Sequence, residues 1–141
     1  MAALTTHKKT TRAGEHLGDS PGKIGAKAAT INYRGGILVN DAGVGAPGRT
    51  AVGLVPLGIT FQTVDNSAGA ANAATVEYET GTFLFAVLGA DPVTAADIGN
   101  DVFIVDDQTI ARTNGTSTRS RLGKLVSFDA EGAFVRVGPG Y

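Results

Sequence analysis

Between Asp91 and Val137, four short apolar runs are packed into fewer than fifty residues, each fenced off by turn-forming residues. That spacing leaves room for little except antiparallel β-structure. Val102-Phe103-Ile104-Val105 is rich in β-branched residues, Gln108 to Thr113 alternates, Leu122 to Phe128 follows, and Ala133 to Val137 closes the set. Between them stand Asp106-Asp107, Asn114-Gly115 and Asp129-Ala130-Glu131-Gly132, where small polar residues and glycine tolerate positive φ and bond their own backbone. One helical turn, at about 94–98, precedes the strands. After the breaker Asp91-Pro92, Thr94-Ala95-Ala96-Asp97 has the form of a reduced capping box: the Thr94 hydroxyl takes a free N–H of the first turn, Asp97 reaches back, and Gly99 ends the turn.

The rest of the chain extends the same syntax. Ile31 and Tyr33 share one side of a strand, Gly35-Gly36 turns, and Ile37-Leu38-Val39 begins the next. Asp41 to Pro47 reads as a turn-rich loop. Ala51 to Leu57 and Ile59 to Val64 read as strands broken by Pro56 and Gly58, which suits an edge or a bend. Asn66 to Ala74 is a small-residue loop, either mobile or draped over a neighbour. Thr75 to Thr80 alternates, with Val76 and Tyr78 on one side and Glu77 and Glu79 on the other, and predicts a hairpin with Phe83 and Phe85 across Thr80-Gly81. A chain of 141 residues fits one domain able to bury roughly two thirds of its unfolded surface. Its 20 glycines, about twice the usual share, fit many tight turns. The expected architecture is all-β, a compact sandwich or small barrel of short antiparallel strands with an extended N-terminal arm. The arm covers residues 1–27, and the β domain residues 28–141.

Charge is unevenly divided. The net charge of −1 conceals +4 on residues 1–34, where Lys8, Lys9, Arg12, Lys23, Lys27 and Arg34 face only Glu15 and Asp19, against −5 on the remainder. A basic, Thr- and Gly-rich arm on an acidic body suits an arm that lies along an acidic surface. Thr5, Lys8, Lys9, Arg12, Lys23 and Lys27 are its candidate contact residues, ordering on binding and adding a strand to an exposed edge. With no cysteine, neither a disulfide framework nor a thiolate metal site is available. The N-terminus lacks the apolar stretch of a signal peptide, and the longest apolar run, Phe83 to Leu88, is far short of a membrane span. Synthesis in a cytoplasm, without a membrane partner, is expected.

Each chemical motif has a plainer structural account. Gly43-Val44-Gly45-Ala46-Pro47-Gly48-Arg49-Thr50 is one substitution from a phosphate-cradling loop, but Arg49 replaces the lysine, Pro47 removes an N–H, and no helix can follow. Asp106 and Asp107 are adjacent, so on a strand they point apart, and one of them capping the turn is the expectation. Asp129-Ala130-Glu131-Gly132 lacks the other ligands of a calcium loop. His7 and His16 lie in the arm with no ligand context, and no serine sits in a nucleophile elbow. Asn114-Gly115-Thr116 matches a glycosylation acceptor that stays idle without secretion. Arg112, Arg119, Arg121 and Lys124 form a second basic cluster without interleaved aromatics, which favours an acidic protein neighbour over nucleic acid. No catalytic residue, metal or cofactor is expected.

The order of these pieces carries a resemblance. Asp-Pro-x-Thr-Ala-Ala-Asp-Ile-Gly, then Val-Phe-Ile-Val-Asp-Asp-Gln-Thr, a Thr-Arg-Ser-containing loop, and Gly-Lys-Leu-Val before an Asp-x-x-Gly turn resemble the small capsid decoration (cement) proteins of tailed bacteriophages. Gly48-Arg49-Thr50 and Thr63-Val64-Asp65-Asn66-Ser67 are similar to the same family, so the likeness spans roughly Ala26 to Val137. It implies a non-enzymatic virion protein on the outer surface of an assembled head. Its partners would be the major capsid protein and sister copies, a homotrimer first and a dimer second, with no direct nucleic-acid contact. The alternative is a surface-binding module, such as a head fibre base or a carbohydrate-binding domain, which would show aromatics on loops. Tyr141, after Gly138-Pro139-Gly140, is the one so placed by sequence.

Overall fold

The computed structural model describes residues 2–10 and 22–139. Among these, the N-terminal half forms seven strands: β1 (Gly22–Gly25), β2 (Thr30–Asn32), β3 (Ile37–Asp41), β4 (Val44–Pro47), β5 (Val55–Thr60), β6 (Val64–Asn66) and β7 (Thr75–Glu79). Five make an antiparallel sheet in the order β1-β7-β5-β3-β4, while β2 and β6 pair with each other. The sheet curls on itself. Ala26 bridges Gly45, and the Lys27 N–H donates to the Gly45 carbonyl at 2.8 Å, so the chain leaving β1 lies beside β4.

Ile37-Leu38-Val39 explains why there are two apolar clusters. Successive strand side chains point to opposite faces, and both faces of β3 are covered. Ile37 and Val39 join the larger cluster, and Leu38 the smaller one with Ala26, Leu57 and Val76. β5 changes sides part-way along. Val39 pairs with Pro56 and Leu38 with Gly58, which leaves Leu57 as the extra residue of a bulge. The slip sends Leu57 into the smaller cluster and Ile59 into the larger one, although they stand two apart. Pro56 is tolerated at the bulge. Gly58 allows a close approach, since a Cβ there would lie 2.2 Å from the Glu79 carbonyl oxygen.

The C-terminal half closes into a five-stranded barrel. Its strands are β8 (Gly81–Val87), β9 (Asp101–Ile104), β10 (Thr109–Ala111), β11 (Arg121–Asp129) and β12 (Gly132–Val137), in the order β10-β8-β12-β11-β9. A single 3-10 turn, Ala95–Asp97, lies between β8 and β9. Every neighbouring pair in the barrel is antiparallel except β8 and β10, which run parallel with Thr109 opposite Ala86. Alternation on β12 puts Ala133, Val135 and Val137 inside, against Phe83 and Phe85 of β8 and Leu122 and Leu125 of β11. Ile37, Val39, Ala46, Leu54 and Ile59 belong to the same cluster, so barrel and sheet share one core. Ser120 pins the junction: its hydroxyl donates to the Ala51 carbonyl at 2.7 Å and accepts from the Leu54 N–H at 3.0 Å.

The fold is all-β with a small barrel, as expected, and four local expectations change. Gly22–Gly25 form β1 and belong to the body, not to an arm ending at residue 27. Two glycines hide the alternation there, and Gly22 lies under the Tyr78 ring, where a Cβ would come within 2.3 Å of Cζ. Asp41 to Pro47 is a hairpin instead of a loop, with Ala42 (φ 53°) and Gly43 (φ 104°) turning between Asp41 and Val44. Alanine at a left-handed position gives no turn signature to read. Thr75–Thr80 makes no hairpin with Phe83 and Phe85: β7 pairs with β1 and β5, β8 with β12 and β10, and Gly81 carries the chain from one sheet to the other. Finally, the loop after Asn66 packs on its own chain. The Asn66 side-chain amide donates to the carbonyls of Lys27 and Ala70 at 3.0 Å each, and the Asn72 N–H to that of Ala26 at 2.9 Å.

Candidate functional site

The second basic cluster is ion-paired within its own chain, four cations to three aspartates. Arg112 Nε donates to Asp97 Oδ1 at 3.0 Å, Arg119 Nη1 to Asp91 Oδ2 at 2.8 Å, and Arg121 Nε and Lys124 Nζ meet Asp101 Oδ1 at 2.7 and 2.8 Å. Asp97 and Asp91 also do local work. Asp97 Oδ2 accepts the Thr94 N–H at 2.8 Å while the Thr94 hydroxyl accepts from Ala96, which completes the expected capping box. Asp91 Oδ2 takes the Thr113 N–H and hydroxyl at 3.0 and 2.6 Å. The Asn114-Gly115 turn is larger than a hairpin tip: Gly115, Thr116 and Ser117 are all left-handed (φ 63°, 61° and 62°), and the Asn114 carbonyl accepts from Thr118 and Arg119. No local spacing announces these ion pairs, because their partners are 15 to 28 residues away in sequence.

These contacts make stability acid-sensitive. The Thr94 N–H and Arg112 hold the Asp97 carboxyl below the usual range, and Arg121 with Lys124 does the same at Asp101. At Asp91 burial pushes upward, but Thr113 and Arg119 together outweigh it, and at Asp41 Lys27 and Arg49 lower the value against burial. Groups with depressed folded values stabilise above their unfolded pKa, roughly 3.9, and lose that contribution as pH falls through the folded values. Asp107 has the opposite sign, since burial pushes its carboxyl up. It contributes fully below about 3.9 and loses that contribution as pH rises through its folded value. The melting temperature is therefore expected to fall below about pH 4, where five depressed groups, these four and Asp65 beside Ser67, outnumber Asp107. Asp101→Asn should flatten part of that fall and cost less than about 1 kcal/mol at pH 7, because its partners are half-exposed and solvent-screened. Calorimetry of both proteins between pH 7 and 3 checks this; parallel curves would remove Asp101 from the account.

The N-terminal residues lie along the body as a strap. The Leu4 N–H donates to Asp107 Oδ1 at 2.8 Å, the Lys8 N–H to the Arg34 carbonyl at 2.7 Å, and the Thr10 hydroxyl to the Gly35 carbonyl. Gln108 ties the strap twice, to the Ala2 carbonyl through Nε2 and to Lys8 Nζ at 3.4 Å through Oε1. Leu4, Lys8 and Thr10 are half-buried, while Thr5, Thr6, His7 and Lys9 face solvent. Beside the strap opens a cleft of about 560 Å³, where Lys8, Lys9 and Arg34 meet Glu79 and the half-exposed ring of Phe61.

The candidate arm residues thus divide. Thr5, Lys8 and Lys9 lie on the strap, and Arg12 and His16 lie outside the described residues, as does Tyr141. Lys23 sits on β1, 3.6 Å from Glu77. Lys27 pairs with Asp41 at 2.6 Å, and Arg49 shares that carboxylate at 2.9 Å. Val44–Pro47 is a paired strand, so the glycine-rich stretch around it forms no phosphate cradle. Asp106 caps its turn by accepting the Gln108 N–H at 2.9 Å, and Asp129 does so at the next turn with Glu131 at 2.8 Å. The sequence missed Asp107 as the strap's anchor, and missed Phe61 and Arg34 at the cleft. The Phe-Gln-Thr that follows β5 was the available signal for an exposed aromatic. Among the described residues no helix is long and apolar enough to cross a membrane. Comparison with protein-family models, curated proteins and solved structures gives no match for this chain.

Proposed function

We propose that this protein is a structural component of a bacteriophage particle that coats the outside of the assembled head and bridges neighbouring major capsid subunits. The division of charge carries the reading. Arg112, Arg119, Arg121 and Lys124 are taken up by Asp91, Asp97 and Asp101, whereas Lys8, Lys9 and Arg34 gather at the strap and cleft. A rigid body with a basic terminal strap suits a protein that lies on an acidic shell and touches it at several places. The resemblance of the Asp91 to Val137 segment to decoration proteins points the same way. Each contact stays modest, and loosening the shell requires breaking several together, which effective concentration makes unfavourable. Sister copies, a trimer first and a dimer second, would meet at a symmetry axis.

Deleting residues 2–10, which leaves β1 intact, is expected to weaken binding to purified heads at least tenfold with little change in melting temperature. Retention of full binding would remove the strap from the mechanism. Absence of the chain, at a fixed ratio to capsid protein, from purified particles would sink the whole reading. One observation favours a surface-binding module instead: Phe61 is 39% exposed and lies in the cleft, where a sugar ring would stack. Binding on a glycan array that is lost in Phe61→Ala would establish that alternative.

A further inference from the structure

One of the strap's bonds goes to a buried carboxylate. Asp107 is 3% exposed, and a carboxylate so far from water needs a donor. The Leu4 N–H supplies one at 2.8 Å, and the Asp107 carbonyl accepts the Ile37 N–H at 2.8 Å, which fixes the anchor to β3. Lys8 lies across it on the strap, Asp106 stands beside it, and burial with that like charge works against its ionised form. Further strap bonds go to the carbonyls of Arg34 and Gly35 and to Gln108. None of residues 2–10 is fully buried, so the strap can open locally without unfolding the body.

We propose that the N-terminal strap is a latch keyed by Asp107, seated on its own body in the free protein and surrendered from that seat when a partner takes it. The proposal rests on the capsid reading for the identity of that partner. An N–H committed to Asp107 or to the Arg34 carbonyl is not available to a partner's strand, so handing over the strap as an added strand means breaking the seat. The seat is therefore autoinhibitory. It keeps the strap off other molecules until a stronger edge, met many times over on a capsid lattice, competes for it.

Asp107→Ala removes the acceptor of the Leu4 N–H and so opens the seat. With nothing on the body competing for the strap, this variant is expected to bind purified heads at least threefold more tightly than wild type, and Asp107→Asn should bind as wild type does. Independently of any head, trypsin should cut the free protein after Lys8 and Lys9 slowly in the wild type and in Asp107→Asn, which keeps an oxygen acceptor for Leu4. In Asp107→Ala cutting should be at least tenfold faster. Equal head binding by Asp107→Ala and wild type, with wild type binding normally, overturns the latch and leaves the capsid reading standing. If wild type itself fails to bind heads, the capsid reading falls and the surrender of the strap falls with it. Equal trypsin cleavage of all three proteins overturns the Asp107 seat whatever the heads show.

Discussion

Phe85→Ala is expected to lower the unfolding free energy by about 3–5 kcal/mol, the range for emptying a fully buried phenyl site. Phe85 is 1% exposed and points into the barrel from β8, opposite the small Ala133 on β12. That large-against-small pairing leaves no neighbour able to swell into the gap. A domain of this size is stable by only about 5–15 kcal/mol, so the loss is a large fraction of the total. Val76→Ala, which empties a buried site in the smaller cluster, should cost only about 2 kcal/mol, for two methyl groups and a small cavity. The two variants together test the organisation of the fold. β3 is the common wall of both clusters, so a single cooperative transition with an unchanged denaturant slope is expected for each. Two separable transitions in Val76→Ala would mean that the smaller cluster melts alone. A loss under about 1 kcal/mol in Phe85→Ala would mean that the barrel is loosely filled.

What could be read from the sequence was what turns and short-range chemistry announce. Asp129 and Asp106 cap turns as their spacing implies, and Thr94 with Asp97 forms the capping box. Four strands of the barrel stand close to where their apolar runs lie. Pairing was far less legible, because it depends on residues remote in sequence. Thr75–Glu79 and Gly81–Val87 look like two arms of a hairpin, yet Val76 and Phe83 belong to different clusters, and only the three-dimensional partition separates them. The parallel seam of β8 and β10 left no trace either, since a two-residue ladder shows no period. The candidate site followed the same rule. Counting Arg112, Arg119, Arg121 and Lys124 found a cluster of cations, but their aspartate partners arrive across loops. Asp107 stood out only as half of an adjacent pair. Its role emerges when the strap, more than a hundred residues earlier in the chain, lays Leu4 against it.

Gly123→Ala should destabilise the protein by about 3 kcal/mol or more, and so lower the melting temperature by roughly 10 °C. The cause is space alone. Gly123 lies on β11 opposite Val137 of β12 and Val102 of β9, just past a shift in register after Arg121. A Cβ there would stand 1.9 Å from the Arg136 carbonyl oxygen, a backbone atom with no rotamer to escape into. Relief requires β12 to move away from β11, and β12 is also paired with β8, so the closed barrel passes the displacement to a third strand. Gly43→Ala supplies the contrast. Gly43 has φ 104° at an open turn, with nothing within 4 Å of an added Cβ, so it carries backbone strain alone, roughly 1–2 kcal/mol. Comparing the two by thermal and denaturant unfolding separates crowding from strain. If both variants lost the same stability, β11 and β12 would not approach as closely at Gly123 as the Arg136 carbonyl requires.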